Sequence, residues 1–232
     1  MYNITPKEVY DFLINNEKIL DIYSKIECRE AAGGGWAFHN FVHVMNVSSL
    51  AEKILTDLNF DSDMIYKCKI ACLLHDVGAL EKKDGHAFRS YQYSLNLFRD
   101  NNWIFPDMDI VLDAIREHSD GFFSDSILTL SIILADKLDV KRSRISPLGM
   151  EVVGNRQYSH IDDIDINICD GVLSINFITD GNIDIDEVNN YYFTLKIFKA
   201  IDAFSKKVGL SYIVLLDGNE WVLDCFDNSK LL

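Results

Sequence analysis

The sequence predicts a mainly α fold, a helical bundle over residues 1–147 followed by a small α+β unit over residues 148–232. Three observations predict it. Through most of the first part, apolar side chains recur at spacings of three and four, the period of one helix face. After Pro147-Leu148-Gly149 the period changes to two, with turn signals between the runs. The chain is 48% hydrophobic and 25% charged over 232 residues, enough for one large packed domain or for one domain plus a small one.

Thr5-Pro6-Lys7-Glu8 reads as a helix start. Thr5 caps, Pro6 suits the first helical position and Glu8 completes a capping box. This helix is expected to run to about Ile26, with Val9, Phe12, Leu13, Ile19, Leu20 and Tyr23 offered to the core. Ala31 to Trp36 reads as a flexible connection. It is not a phosphate loop of the Walker type, since no Gly-Lys-Ser/Thr follows.

Asn40 is a suitable cap for a helix in which His43 shares a stripe with Val47, Leu50, Ala51, Ile54 and Leu58. From about Met64 a further helix places Met64, Cys68, Ala71, Cys72 and His75 on one face. Asp76 follows, and Gly78 is well placed to stop the helix. His86 opens the next helix on a face with Ser90, Tyr93 and Leu97. His118 ends a stripe of Val111, Ala114 and Ile115. Asp136 lies in a helix from about Ser126 to Asp139, on a stripe with Thr129, Ile132, Ile133 and Val140. A histidine or aspartate buried without a partner would cost several kcal/mol. Five helices that each carry such a residue inward are best explained by one shared centre, and a divalent cation satisfies all of them at once.

The order His43 … His75-Asp76 … His86 … His118 … Asp136 resembles the HD-domain superfamily of metal-dependent phosphohydrolases, over roughly residues 36 to 145. The apolar helix before His75-Asp76 and the setting Ile133-Leu134-Ala135-Asp136-Lys137-Leu138 carry the resemblance. The six-ligand set is similar to the two-metal subgroup, which includes dinucleoside-polyphosphate hydrolases and some di-iron oxygenases. The resemblance implies Asp76 as a bridge between two cations, with His43, His75 and Asp136 on one and His86 and His118 on the other. Imidazole and carboxylate ligands suit Fe, Mn, Zn or Ni. His39-Asn40-x-x-His43 also resembles the opening motif of the class I cyclic-nucleotide phosphodiesterases, which makes His39 a candidate proton donor. Lys137 and Arg144, in the basic stretch after Asp136, are candidates to face a phosphate, and Lys137 is taken with His39 and Asp76 into the catalytic group. Arg89, one turn after His86, is a further substrate-binding candidate. Lys82 and Lys83 read as solvated surface charge.

The implied function is hydrolysis of a nucleotide or other small phosphoester or phosphoanhydride by metal-activated water. Two other readings use the same residues: a di-iron oxygenase, and a non-catalytic metal-binding regulator. A formal net charge of −14 argues against a nucleic-acid polymer as partner. It does not argue against a small anionic substrate, because bound cations dominate their surroundings. No apolar run approaches the ~20 residues of a membrane span. Met1 to Tyr10 lacks the pattern of a secretory signal, and the five cysteines lack a disulfide-framework spacing, so a cytoplasmic protein with reduced thiols is expected.

In the second unit, Ile164–Ile168 and Val172–Ile178 alternate about the turn Asp170-Gly171. A helix is expected from about Asp186 to Val208, ended by Gly209. Tyr212–Leu216, Asp217-Gly218 and Trp221–Phe226 then give a second hairpin. The order strand–strand–helix–strand–strand (ββαββ) suggests an antiparallel sheet. It has no catalytic constellation of its own. Homodimerisation, substrate recognition and covering of the helical site are its candidate roles. With the ligand set complete by Asp136, a chain ending near Ser146 is expected to bind metal.

Overall fold

In the computed structural model, which describes residues 2–223, a two-residue strand β1 (Tyr2–Asn3) precedes α1 (Pro6–Leu13) and α2 (Glu17–Arg29). The capping box forms as expected: the Glu8 amide donates to Thr5 Oγ1 and the Thr5 amide to the Glu8 carboxylate. The single helix expected to reach Ile26 is broken at Ile14–Asn16. The Asn16 side chain accepts from the Lys18 and Ile19 amides, so it caps a second helix and interrupts the first. The break changes the phase of the apolar stripe. Val9, Leu13, Ile19 and Tyr23 are buried, whereas Phe12 and Leu20 are exposed, Phe12 lying edge-on to Trp103.

The bundle continues with α3 (Phe41–Asp57), α4 (Ser62–Leu74), α5 (His86–Asp100), β2 (Trp103–Ile104), α6 (Met108–Glu117) and α7 (Ile127–Leu138). β2 pairs in parallel with β1. α4 is the central helix. Its residues from Lys67 to Leu74 are all buried, where the sequence suggested a single apolar face. Two lysines are accommodated because their stems pack inside while their amines reach acids: Lys67 meets Asp107 at 2.8 Å and Lys69 meets Glu52 at 2.5 Å.

Gly78 does not end α4 by a left-handed turn, as the sequence suggested. α4 ends at Leu74, and Val77–Leu80 forms a separate 3-10 turn. The glycine is required by close approach. A Cβ there would lie 2.4 Å from the His86 carbonyl oxygen and 2.5 Å from the Ser90 amide. Its own amide donates to Ser90 Oγ at 2.9 Å. The start of α5 is thereby pressed against the turn after His75-Asp76, which brings His86 to the same place.

In the second part, β3 (Ile161–Cys169) and β4 (Val172–Thr179) form the first expected hairpin, with Asp170 and Gly171 both at positive φ. The expected single helix is again two, α8 (Ile185–Asn189) and α9 (Tyr192–Val208), with Tyr191 extended between them. Asn189 turns aside to accept from Trp221 Nε1 at 2.7 Å, and Thr194 Oγ1 donates to the Val188 carbonyl. Gly209 ends α9 at φ +72, as expected. β5 (Ser211–Leu216) and β6 (Asn219–Glu220) complete a sheet of order β3-β4-β5-β6. The sheet is mixed, not antiparallel throughout. α8 and α9 return the chain across it, so β5 enters parallel to β4. Trp221–Leu223 is not strand, although the Trp221 amide donates to the Val214 carbonyl. The rest of the strand expected to Phe226 lies outside the described residues.

Two apolar clusters hold the molecule, and α7 lies in both. Leu128, Ile132 and Ala135 face the helical cluster, with residues of α1 to α6. Leu130, Ile133, Leu134 and Leu138 face the other, with Phe177 of β4 and Ile197, Ile201 and Phe204 of α9. Both sets follow helical spacing, so opposite faces of one helix enter two cores. Among the described residues no helix is long and apolar enough to cross a membrane.

Candidate metal centre

His43 stands in the first turn of α3, whose start is fixed by Asn40 Oδ1 accepting from the His43 amide at 3.0 Å. His75 is the residue just past α4, and the Leu73 carbonyl there accepts from the buried Tyr23 hydroxyl at 2.6 Å. His86 is the first residue of α5, His118 the first past α6, and Asp136 lies in the last turn of α7. Helix ends are therefore the common device. They bring these five residues, with Asp76, to one buried place.

The four histidines present the same edge to it. Nδ1 of His75, His86 and His118 lies 2.7–2.8 Å from the carbonyl oxygen three residues upstream, Cys72, Lys83 and Ile115 respectively. A carbonyl oxygen only accepts, so each Nδ1 carries a proton and each ring turns its Nε2 inward, as a lone pair whenever the ring is neutral. His43 Nδ1 donates instead to Asp139 Oδ2 at 2.7 Å, and Asp139 is held in turn by Asn46. Such outer hydrogen bonds fix tautomer and ring orientation for a metal. Asp139 was not singled out from the sequence. Its signal was its position three residues after Asp136. Asp139→Asn is expected to lower divalent-metal affinity about 10- to 100-fold with the fold intact, measured by chelator competition. Unchanged affinity would show that the bond to His43 is idle.

Asp76 divides its oxygens. Oδ2 lies 3.1 Å from His75 Nε2 and 3.5 Å from His43 Nε2. Oδ1 lies 3.0 Å from His86 Nε2 and 3.7 Å from His118 Nε2. Asp136 Oδ1 joins the first side, 3.2 Å from His43 Nε2 and 3.7 Å from His75 Nε2. Donor atoms of His43, His75 and Asp136 lie within 4.8 Å of one another, as do those of His75, Asp76 and His118, close enough to hold a cation.

The residues also fit a cation chemically. His43 Nε2, His75 Nε2 and Asp76 Oδ2 are buried and make no hydrogen bond despite their proximity. Each such orphan costs about 1–3 kcal/mol, and three together are large beside a total stability of about 5–15 kcal/mol. His86 Nε2 and His118 Nε2 are 2.8 Å apart. With both Nδ1 protonated, two neutral rings set lone pair against lone pair, a repulsion that a cation bound by both would relieve. Burial pushes the His118 pKa down to about 3 against the pull of Asp76, so this ring is a poor home for a proton. His75 differs. Burial opposes its charged form, but Asp76 and Asp136 hold its pKa at about 9. A cation at His75 Nε2 must displace that proton. Metal affinity is therefore expected to rise up to about tenfold per pH unit between about pH 6 and 9, then level. Affinity that is flat over that range would refute the displacement.

A cavity of about 1070 Å³ opens beside the cluster, lined in part by His39, Lys83, Lys137 and Arg144. Arg144 is buried, 4.0 Å from Asp136 and 3.9 Å from Asp139, and its Nη1 has no partner. Lys137 Nζ meets Asp136 Oδ2 at 2.5 Å. Lys83, read from the sequence as surface charge, has its amine in the site, 3.3 Å from Asp76 Oδ1 and 3.2 Å from His86 Nε2. The loop before α5 folds it inward. Arg89 is not on the cavity wall. Its guanidinium donates to the carbonyls of Gly78, Lys82 and Asp84 and thereby holds the loop that carries Lys83.

His39 lines the cavity, backed by a residue the sequence did not flag. Glu30 is 1% exposed, and its carboxylate takes the His39 amide and Nδ1 at 2.7 Å each. The segment expected as a flexible connection begins as a widened turn, Glu30–Gly34, continuing α2, which places this carboxylate. Burial, with Lys83 and Arg144, holds the His39 pKa well below its ordinary value. In the free protein the ring is thus neutral, with Nδ1–H on Glu30 and the Nε2 lone pair available to the cavity.

No curated protein matches the chain. Residues 40–141 match the family model described as HD domain, a span that contains His43, His75, Asp76, His86, His118 and Asp136. Divalent-metal binding belongs to that family, and the buried histidine–aspartate cluster is compatible with it. Residues 40–141 of the helical part are thus similar to an HD domain, and the histidine–aspartate cluster they carry is compatible with a metal-binding site of that kind.

Proposed function

We propose that the protein is a phosphohydrolase that uses two divalent cations on a nucleotide or other small phosphoester or phosphoanhydride. The observation that carries this is the convergence of unpartnered ligand atoms, with Asp76 turning one oxygen to each half of the cluster. His43, His75, Asp136 and Asp76 Oδ2 would hold one cation, and His86, His118 and Asp76 Oδ1 the other. Cations bound there supply Lewis acidity toward phosphoryl oxygen and lower the pKa of water.

The chain's own residues bind and orient the anion. The free Nη1 of the buried Arg144 offers a donor to a phosphoryl oxygen. The Lys83 amine contacts Asp76 and His86 in the free protein and turns to substrate when cations take those ligands. Lys137 adds a third positive charge at the wall. His39 moves the proton. Burial is the main cause of its low pKa and the charges of Lys83 and Arg144 add to it; a bound phosphate would offset those charges and favour a proton on the ring, for transfer to the leaving oxygen. Glu30 keeps Nδ1 occupied, which leaves Nε2 as the working atom.

The test is metal analysis of the purified protein with phosphate release assayed over a nucleotide panel. The wild type is expected to hold two metals per chain and to release phosphate only when loaded. The double variant His86→Ala/His118→Ala is expected to keep about one metal and lose most hydrolysis, because one cation cannot clamp both attacking and leaving oxygens. If wild type and variant bind one metal equally well, the centre is mononuclear and those histidines serve substrate or core. Absence of phosphate release from every member of the panel by fully loaded protein would refute the reaction.

A further inference from the structure

The cavity is far larger than a phosphate group requires, at about 1070 Å³ near the upper end of small-molecule sites. Part of its wall is neither metal ligand nor cation. Tyr192 and Phe193, in the first turn of α9, line it from the C-terminal unit. Trp36 lines it from the segment after the Glu30–Gly34 turn, and Phe88 from α5. Tyr192 is 51% exposed, Trp36 44% and Phe88 54%. Singly, exposed aromatic residues need no explanation. Here three segments distant in sequence each turn one toward the same cavity.

The aromatic wall is also held in place and close to the chemistry. Tyr192 meets Tyr191 edge-on at 4.8 Å between centres and Phe193 at 6.3 Å, contacts that fix the ring while leaving a face open. Lys137 joins the two regions: its Nζ is 2.5 Å from Asp136 Oδ2 and 6.0 Å from the Phe193 ring centre. The Phe193 ring therefore stands no farther from Asp136 than those two distances end to end, and Tyr192 lies one ring contact beyond it, 6.3 Å between centres. An ion pair between Lys196 of α9 and Asp120, at 3.2 Å, ties this wall to the loop after His118.

We propose that the C-terminal unit is the ring-recognition wall of the active site, with Tyr192 as the principal surface on which a planar ring of the phosphorylated substrate stacks. The proposal rests on the phosphohydrolase reading for the orientation of the ligand, phosphate to the cluster and ring to α9. It assigns the second unit a role in specificity, through residues outside the matched HD segment.

The test compares adenosine monophosphate with ribose 5-phosphate, which lacks only the base, by calorimetric titration of the full chain and of Tyr192→Ala and Tyr192→Phe. Tyr192 is half exposed, so both variants are expected to fold. The wild type is expected to bind the nucleotide about tenfold more tightly than the sugar phosphate, as base–aromatic stacking provides. Tyr192→Phe keeps that ratio and Tyr192→Ala brings it near one. A wild type that does not discriminate, including one that binds neither, overturns the proposal. So does a Tyr192→Ala variant that keeps the ratio. Phosphate release is scored separately. Discrimination without release leaves the ring wall standing and removes the phosphohydrolase reading, and release without discrimination does the reverse.

Discussion

Asp76→Ala is expected to remove bound metal and hydrolysis together. Asp76 is the residue whose two oxygens face different halves of the cluster, Oδ2 toward His75 and His43 and Oδ1 toward His86 and His118. No neighbour can substitute. Asp136 reaches only the first half, and Asp139 is engaged by His43 Nδ1 on the far side of that ring. The carboxylate is also a buried charge, held well below its ordinary pKa by His75, Lys83 and His39 although burial opposes ionisation. Removing it leaves the Lys83 amine and the protonated His75 without their nearest counter-charge, which raises the cost of adding further cations. Metal content should fall to a small fraction of wild type. Phosphate release should fall at least about 10²- to 10³-fold, the scale seen when one group stabilising developing charge is removed. Circular dichroism controls for folding, since the change is small and lies after the end of α4. A folded variant that retains full metal content would sink the assignment of Asp76 as the shared ligand.

The clustering of the proposed ligands was legible because each occupies an apolar helical stripe, where an unpaired polar group is costly and so demands a partner. His43 beside Val47 and Ala51, or Asp136 beside Ile132 and Ile133, shows this locally. Residues that act on the ligands from outside are less visible. Asp139 sits at the end of a helix among charged neighbours, where an aspartate is ordinary, and only its contact with His43 across 96 positions gives it meaning. Glu30 is similar: an acid before a run of alanine and glycine carries no pattern, and its burial is created by the widened turn and His39. Lys83 lies nearer the cluster, and Arg89 farther from the cavity wall, than the sequence suggested, for one reason. Both lie beside a loop whose path depends on the tight contact at Gly78, and that contact is tertiary. In the fold, the break at Asn16 was missed because capping competes with helix continuation on local hydrogen bonds that composition does not rank, and the break before Tyr192 because Asn189 is engaged by the sequence-distant Trp221. The parallel pairing of β4 and β5 was missed because hairpin signals report neighbouring strands only, and these two are joined through α8 and α9.

Truncation after Ser146 is expected to destroy the metal centre, although every proposed ligand precedes that point. The sequence suggested the opposite, since the ligand set is complete by Asp136. The difference lies in α7, which carries Asp136 on a helix buried along its whole length from Leu128 to Leu138. Leu130, Ile133, Leu134 and Leu138 belong to the apolar cluster built mainly from the sheet and α9, not to the one that fills the helical bundle. Exposing four such side chains costs about 1.5–3 kcal/mol each. Together that matches the stability of an ordinary domain, about 5–15 kcal/mol. The shortened chain should lack a cooperative thermal transition, expose apolar surface to a dye, and show no saturable metal binding. Ile54 of α3 belongs to the same cluster, so the helix that carries His43 would also lose a contact. A chain ending at Ser146 that melts cooperatively and binds metal at wild-type stoichiometry would show that the second face of α7 is dispensable. The boundary at Pro147 would then separate two independent folding units. If folding fails as expected, Leu134→Asp in the full chain should reproduce much of the defect by burying a charge in that interface. That variant keeps the sheet and the cavity wall present, so loss of metal from it would trace the dependence to the packing of α7 itself.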